Sequence, residues 1–248
     1  MLRRGGITTL RRQSRPTTLM DMIRSADPNR AQALPDARPD SIDGPAVRAY
    51  LGRVERLIRR HRAYLTGLDA VLGDGDHGDN MAIGFRAVSE VIEDLPPDAT
   101  PGVVIRAAGH RLVAAVGGAS GPLYGTAFIA AGHVAGDARM VGVETLASML
   151  DSAATALARR GRCAVGDKTI LDALRPAADA FAAAATKGSP LQGCVAVAVT
   201  AARDGMLSTR PLIARRGLAL RMGTRSMGHL DPGAVSCYLL VRAMIPGK

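Results

Sequence analysis

Residues 69–81 read DAVLGDGDHGDNM, a run in which Asp69, Asp74, Asp76 and Asp79 gather around His77 and Asn80, with Gly73, Gly75 and Gly78 between them. Carboxylates this close repel one another by about 1 kcal/mol per pair even in water, and by more where water is excluded. A bound cation removes that cost. Hard divalent ions favour all-oxygen shells, and magnesium takes a few carboxylates at roughly 2.1 Å while water and phosphate oxygens complete its octahedron. A calcium loop of the EF-hand type counted from Asp74 needs Gly at its sixth position and Glu at its twelfth; Asp79 and Phe85 stand there, which excludes it. The competing reading is a solvated turn in which Asp79 caps the helix that follows. It accounts for one or two of the carboxylates but not for the set.

Working outward from this motif, apolar spacing and stop signals predict eight helical segments, at about 46–65, 79–93, 101–116, 121–135, 143–160, 167–186, 190–207 and 231–245. LPPDATP ends the second, Gly161 the fifth and KGSP the sixth, while Asp231 and Pro232 start the last. VAVAVT at 195–200 alternates like a strand, but its flanking alanines and the length of the segment favour helix. Short connections force consecutive helices to pack antiparallel, which sorts the loops to two poles. One pole receives 66–78, 117–120, 161–166 and 208–230; the other receives loops with little beyond turn formers. The unusual chemistry therefore collects at one end of a helical cylinder.

Composition agrees with an all-α class. The 248 residues are 47% hydrophobic with no Trp and only 3% aromatic, so the core is built of Ala, Val, Leu, Ile and Met, a mixture that favours helices over sheets. No apolar run approaches a membrane span, which predicts a soluble protein with no membrane partner. The formal net charge is +10, of which eight Arg and five Asp between Met1 and Ala46 account for +3. The rest is spread along helices without interleaved aromatics, so nucleic acid is not the expected partner; an anionic ligand or acidic protein surface is. Cys163, Cys194 and Cys237 are widely spaced with no C-x-x-C, which points to neither a disulfide scaffold nor zinc, and to a reducing cytoplasm. Residues 1–46, rich in Arg and Pro, read as a mobile tail, and the domain proper as 47–248.

Three other loops could meet the metal. In VGGASGPLYGT the turn Gly117-Gly118-Ala119-Ser120 precedes a helix with Ser120 as its expected N-cap, so backbone N–H groups and the positive helix end can approach an anion. Tight helix packing is the other use for such small residues. GDKT at 166–169 places Asp167 as the expected cap of the sixth helix. The loop 208–230 carries Arg210, Arg215, Arg216, Arg221 and Arg225, a composition suited to a lid over an anion.

LDAVLGDGDHGDNM, VGGASGPLYGT, GDKTILDALRP and RSMGHLDPGAVS together resemble the nucleotide-binding L subunit, or L domain, of dihydroxyacetone kinases, over about residues 47–245. The resemblance implies an eight-helix antiparallel up-and-down barrel with ADP or ATP and two Mg2+ ions at one pole. It assigns magnesium to Asp69, Asp74 and Asp76, and nucleotide contacts to His77, Gly78, Asp79, Asn80, Ala119, Ser120, Gly161, Ile170, Gly233, Ala234 and Val235. It also implies a partner K subunit that holds the ketose, which agrees with the lack of an evident base for the substrate hydroxyl in this chain. The family commonly has an arginine after the glycine of the long loop; here Leu218 follows Gly217, with Arg216 and Arg221 as the available substitutes. Whether the nucleotide exchanges as ATP, or stays bound as ADP and is rephosphorylated by a phosphotransferase-system protein, both remain open, as do a stand-alone metal-dependent phosphohydrolase and a nucleotide-binding regulatory module.

Overall fold

The Asp43 carboxylate accepts a hydrogen bond from the Ala46 amide at 2.8 Å, and Pro45 fills the first turn, so the first helix starts at Gly44. In the computed structural model, which describes residues 40–246, this helix, α1, runs Gly44–Leu72. It is followed by α2 (His77–Glu93), α3 (Pro101–Ala115), α4 (Ser120–Ala135), α5 (Val143–Gly161), α6 (Leu171–Thr186), α7 (Leu191–Ser208) and α8 (Pro232–Arg242). A 3-10 segment, Leu218–Ser226, lies between α7 and α8. The only pairing of strands among the described residues is a two-residue antiparallel bridge, β1 (Ser41–Ile42) with β2 (Val141–Gly142), in the register Ser41 to Gly142. The class is all-α, as expected. Most of the expected tail lies outside the described residues; its last seven positions, 40–46, carry β1 and the start of α1.

Several boundaries moved, each for a local reason. α1 continues past Gly67 to Leu72 because Leu65, Leu68 and Leu72 extend its apolar stripe into the core, and their burial outweighs the roughly 1 kcal/mol that one helical glycine costs. The predicted loop 66–78 thereby shrinks to 73–76, and Asp69 sits in the last turn of a helix. α6 begins at Leu171 rather than 167, because Gly166 and Lys168 adopt φ of 94° and 63°, outside the helical region. VAVAVT is helical, within α7.

Each helix packs against the next in sequence, and α8 returns to touch α1, α6 and α7. Every residue of α8 from Pro232 to Val241 is buried, which makes it a core helix apolar on all sides. The core is aliphatic, with one edge-on aromatic pair, Phe85 and Phe128, at 6.3 Å between ring centroids. Seven of the helices line a cavity of about 670 Å³ whose lining includes Tyr50, Phe128, Met149, Val199, Leu240 and Val241. Among the described residues no helix is long and apolar enough to cross a membrane.

Candidate metal and nucleotide site

Asp69, Asp74 and Asp76 each bring a carboxylate oxygen within 4.8 Å of the other two. The last turn of α1 supplies the first and the four-residue connection to α2 the others. Asp69 Oδ2 organises that connection, accepting the N–H groups of Gly75 and Asp76 at 3.0 Å and of His77 at 3.2 Å. Gly75 takes a φ of 77°, which lets the chain turn back over Ala70. Burial raises the Asp69 carboxyl above its ordinary range, backbone N–H donors pull it down and Asp74 pushes it up. Asp76 is raised likewise, by burial first and then by its two acidic neighbours, while Asn80 draws it down. None of the three makes an ion pair among the described residues. Three converging carboxylates without a basic partner are the donor set that a hard divalent cation requires, so the residues fit magnesium.

Asp79 is sorted out of this cluster. It lies in the first turn of α2, pairs with Arg62 of α1 and accepts from Thr66 Oγ1 at 3.4 Å; the Arg62 hydrogen bond holds its carboxyl below the ordinary value. The N-cap position falls to Asp76 instead, which makes no side-chain cap hydrogen bond. Gly78 is buried where α2 crosses α1: a Cβ there would stand 2.1 Å from the Arg62 carbonyl oxygen. That close approach brings the two ends of the motif together.

His77 joins three elements. It is buried, with Nδ1 3.1 Å from Ser120 Oγ at the start of α4 and Nε2 2.9 Å from Ser236 Oγ in α8. Ser236 Oγ lies 2.7 Å from the Tyr124 hydroxyl, and both hydroxyls reach the Gly233 carbonyl, at 3.0 and 3.2 Å. Burial pushes the imidazole down to about 4, so it is neutral at physiological pH. Ser120 therefore does not act as a side-chain N-cap; Ala119 occupies the cap position without a side-chain bond, because the serine hydroxyl is turned to His77.

The remaining expected contacts are distributed around this hub. Asn80 hydrogen-bonds Asp76. Gly117, Gly118 and Ala119 form an exposed turn at the start of α4, with Gly118 at φ 64°. Ile170 abuts Gly233: a Cβ on the glycine would lie 2.7 Å from Ile170 Cγ1. Gly161 ends α5 beside Cys163, whose thiol burial pushes up, away from the thiolate form. Ala234 and Val235 have no exposed surface, so in this conformation they shape the first turn of α8 rather than the open face of the site.

In GDKT, Asp167 is not a helix cap. It accepts from the Ala164 N–H at 3.0 Å and pairs with Arg216 at 3.2 Å, while Asp172 takes the Gly166 and Thr169 N–H groups at 2.6 and 2.7 Å. Of the two arginines available to replace the family's arginine at Leu218, Arg216 is thus committed to Asp167, and Arg221 is exposed. Residues not picked out in the sequence are Tyr124, Ser236 and Lys168. Lys168 offered a signal, being one of three lysines among 32 basic residues.

A helical domain whose connections bring three carboxylates together beside a glycine-rich helix start has the make-up of a metal- and anion-binding α-domain. The family described as DAK2 domain matches residues 71–246, and the chain belongs to that family. It is 41% identical, over 76% of this chain and 88% of the relative, to the PEP-dependent dihydroxyacetone kinase 2 ADP-binding subunit DhaL of Listeria innocua. It is 35% identical, over 82% of this chain and 97% of the relative, to the PEP-dependent dihydroxyacetone kinase ADP-binding subunit DhaL of Escherichia coli. Among solved structures it is similar to the dihydroxyacetone kinase from C. freundii in complex with AMP-PNP and Mg2+, with TM-score 0.59 and 26% identity over 85% of this chain. The chain spans 36% of that kinase.

Proposed function

We propose that this chain is the nucleotide-binding subunit of a kinase for dihydroxyacetone or a related short ketose, presenting the phosphoryl group of magnesium-bound ADP or ATP to a substrate held by a partner K subunit in the cytoplasm. The observation that carries this reading is the convergence of Asp69, Asp74 and Asp76, free of ion pairs among the described residues, beside the α4 turn that His77 fixes through Ser120. These three carboxylates would hold two magnesium ions. Bound magnesium supplies neutralisation of charge on the phosphate oxygens. The N–H groups of the exposed 117–119 turn and the Ser120 hydroxyl orient the phosphates, and positioning does most of the catalysis. His77 has both ring nitrogens engaged by hydroxyls and burial weakens it as a base, so it orients rather than abstracts a proton; a substrate base is left to the partner. The return of α8 to α1 and the apolar cavity lined from seven of the helices support reading the fold as a closed eight-helix barrel with this site at one pole.

Thermal-shift titration with ADP and ATP, each with and without Mg2+, tests the reading, because stabilisation follows ligand concentration over Kd. Magnesium-dependent stabilisation that Asp74→Asn removes is the expected result. Equal shifts with and without Mg2+, or none, would sink it. Retention of ADP through extensive desalting would favour rephosphorylation in place by a phosphotransferase-system protein over exchange with ATP.

A further inference from the structure

We propose that Lys168 is a positioning residue that closes the base of the arginine loop 210–228 and thereby sets how firmly the loop retains a bound nucleotide; this rests on the nucleotide reading above. The Lys168 residue is 2% exposed, and its Nζ donates to the Thr209 carbonyl at 2.6 Å and the His229 carbonyl at 2.5 Å. Those two carbonyls stand immediately before and after the loop, so one ammonium joins both of its ends. The Lys168 charge is committed to these carbonyls; it forms no ion pair among the described residues.

The rest of the base is built around that anchor. The Gly228 N–H donates to the Arg210 carbonyl at 2.8 Å, and Arg210 Nε to the Gly228 carbonyl at 3.2 Å. The neighbouring Asp167 takes the Arg215 N–H on its carbonyl at 3.0 Å and the Arg216 side chain on its carboxylate at 3.2 Å. Thr209, fully buried, accepts the Asp231 N–H at 3.1 Å and so ties the loop to the start of α8. Lys168 itself adopts φ 63°, a conformation few residues other than glycine take. In a chain whose basic residues are nearly all arginine, a lysine here has a physical reason: two convergent carbonyls accept a compact ammonium, whereas a guanidinium presents a broad planar fork. A loop pinned at both ends samples far fewer conformations than one released at its base.

The test uses the full chain and its Lys168→Met and Lys168→Arg variants, with cooperative thermal unfolding as the check that each is folded. Two quantities are read: trypsin cleavage within 210–228 in nucleotide-free protein, mapped by mass spectrometry, and the release rate of a fluorescent ADP analogue bound with Mg2+. Lys168→Met is expected to raise cleavage in the loop, relative to cleavage elsewhere, by about tenfold and to speed release by a similar factor, with smaller rises for Lys168→Arg. A folded variant with native loop cleavage and native release overturns the proposal, however far its melting temperature falls. If Lys168→Met does not fold, the same readouts on Lys168→Arg decide, and no change in either overturns it. Failure of the nucleotide reading shows separately, as no ADP binding by the unaltered chain, and the cleavage comparison then still decides whether Lys168 anchors the loop.

Discussion

The Arg62 guanidinium on α1 grips the Asp79 carboxylate on α2, and this one ion pair divides the four aspartates of the motif into three that converge without a basic partner among the described residues and one already neutralised. The expected consequence is an unequal response to substitution. Asp79→Asn should leave Mg2+ binding within about twofold of native, whereas Asp76→Asn should weaken it about tenfold or more, because only the second removes an oxygen from the converging set. Calorimetric titration with Mg2+ alone measures both. Equal losses would place Asp79 in the metal shell.

Gly78→Ala should destabilise the fold and disturb the metal site together. Its new Cβ would meet the Arg62 carbonyl oxygen at 2.1 Å and the Thr66 N atom at 2.7 Å, both backbone, so α2 must move off α1. Overpacking of this kind costs about 3 kcal/mol. Denaturant unfolding gives the stability loss, and a Mg2+ titration of the folded variant shows whether the aspartates still converge.

Ser236→Ala deletes the hydroxyl 2.9 Å from His77 Nε2 and leaves this buried imidazole one hydrogen bond short. The expected cost is about 2 kcal/mol in urea unfolding. Tyr124→Phe should cost less, because Ser236 still serves both His77 and the Gly233 carbonyl. A Tyr124→Phe loss exceeding that of Ser236→Ala would show that the tyrosine, not the serine, holds the hub.

Asp231 makes stability depend on pH. Burial pushes its carboxyl up to about 7, although the Ala234 N–H and Lys168 draw it down, from an ordinary value of 3.8. Between those values the folded protein keeps a proton that the unfolded chain has lost. The contribution of Asp231 is therefore full below the lower value and is lost as pH rises through the upper one. Asn preserves the N-cap acceptor and does not titrate. The melting temperature of Asp231→Asn relative to native should rise as pH increases from about 4 to about 8. A difference flat with pH would show that Asp231 is ionised throughout.

The amino-acid sequence determined the helical class, the number of α-helices among the described residues and the place of the carboxylate cluster, because each rests on information local to the chain. Apolar spacing at helical period marks α2 to α5 within a residue or two, and the density of carboxylates in 69–76 marks, within eight residues, the three that the fold brings together. Boundaries failed where a long-range gain overrode a local signal: Gly67 lies inside α1 because Leu68 and Leu72 reach the core, and 167–170 stay out of α6 because Lys168 must point at two carbonyls 41 and 61 residues away. Only the tertiary structure decided which polar groups meet. Ser120 and Asp79 both look like helix caps from their neighbours, yet Ser120 answers to His77, 43 residues distant, and Asp79 to Arg62, 17 distant. Capping propensity is a property of the adjacent backbone, but a side chain takes its best partner in space, and the packing of α1, α2, α4 and α8 sets that partner.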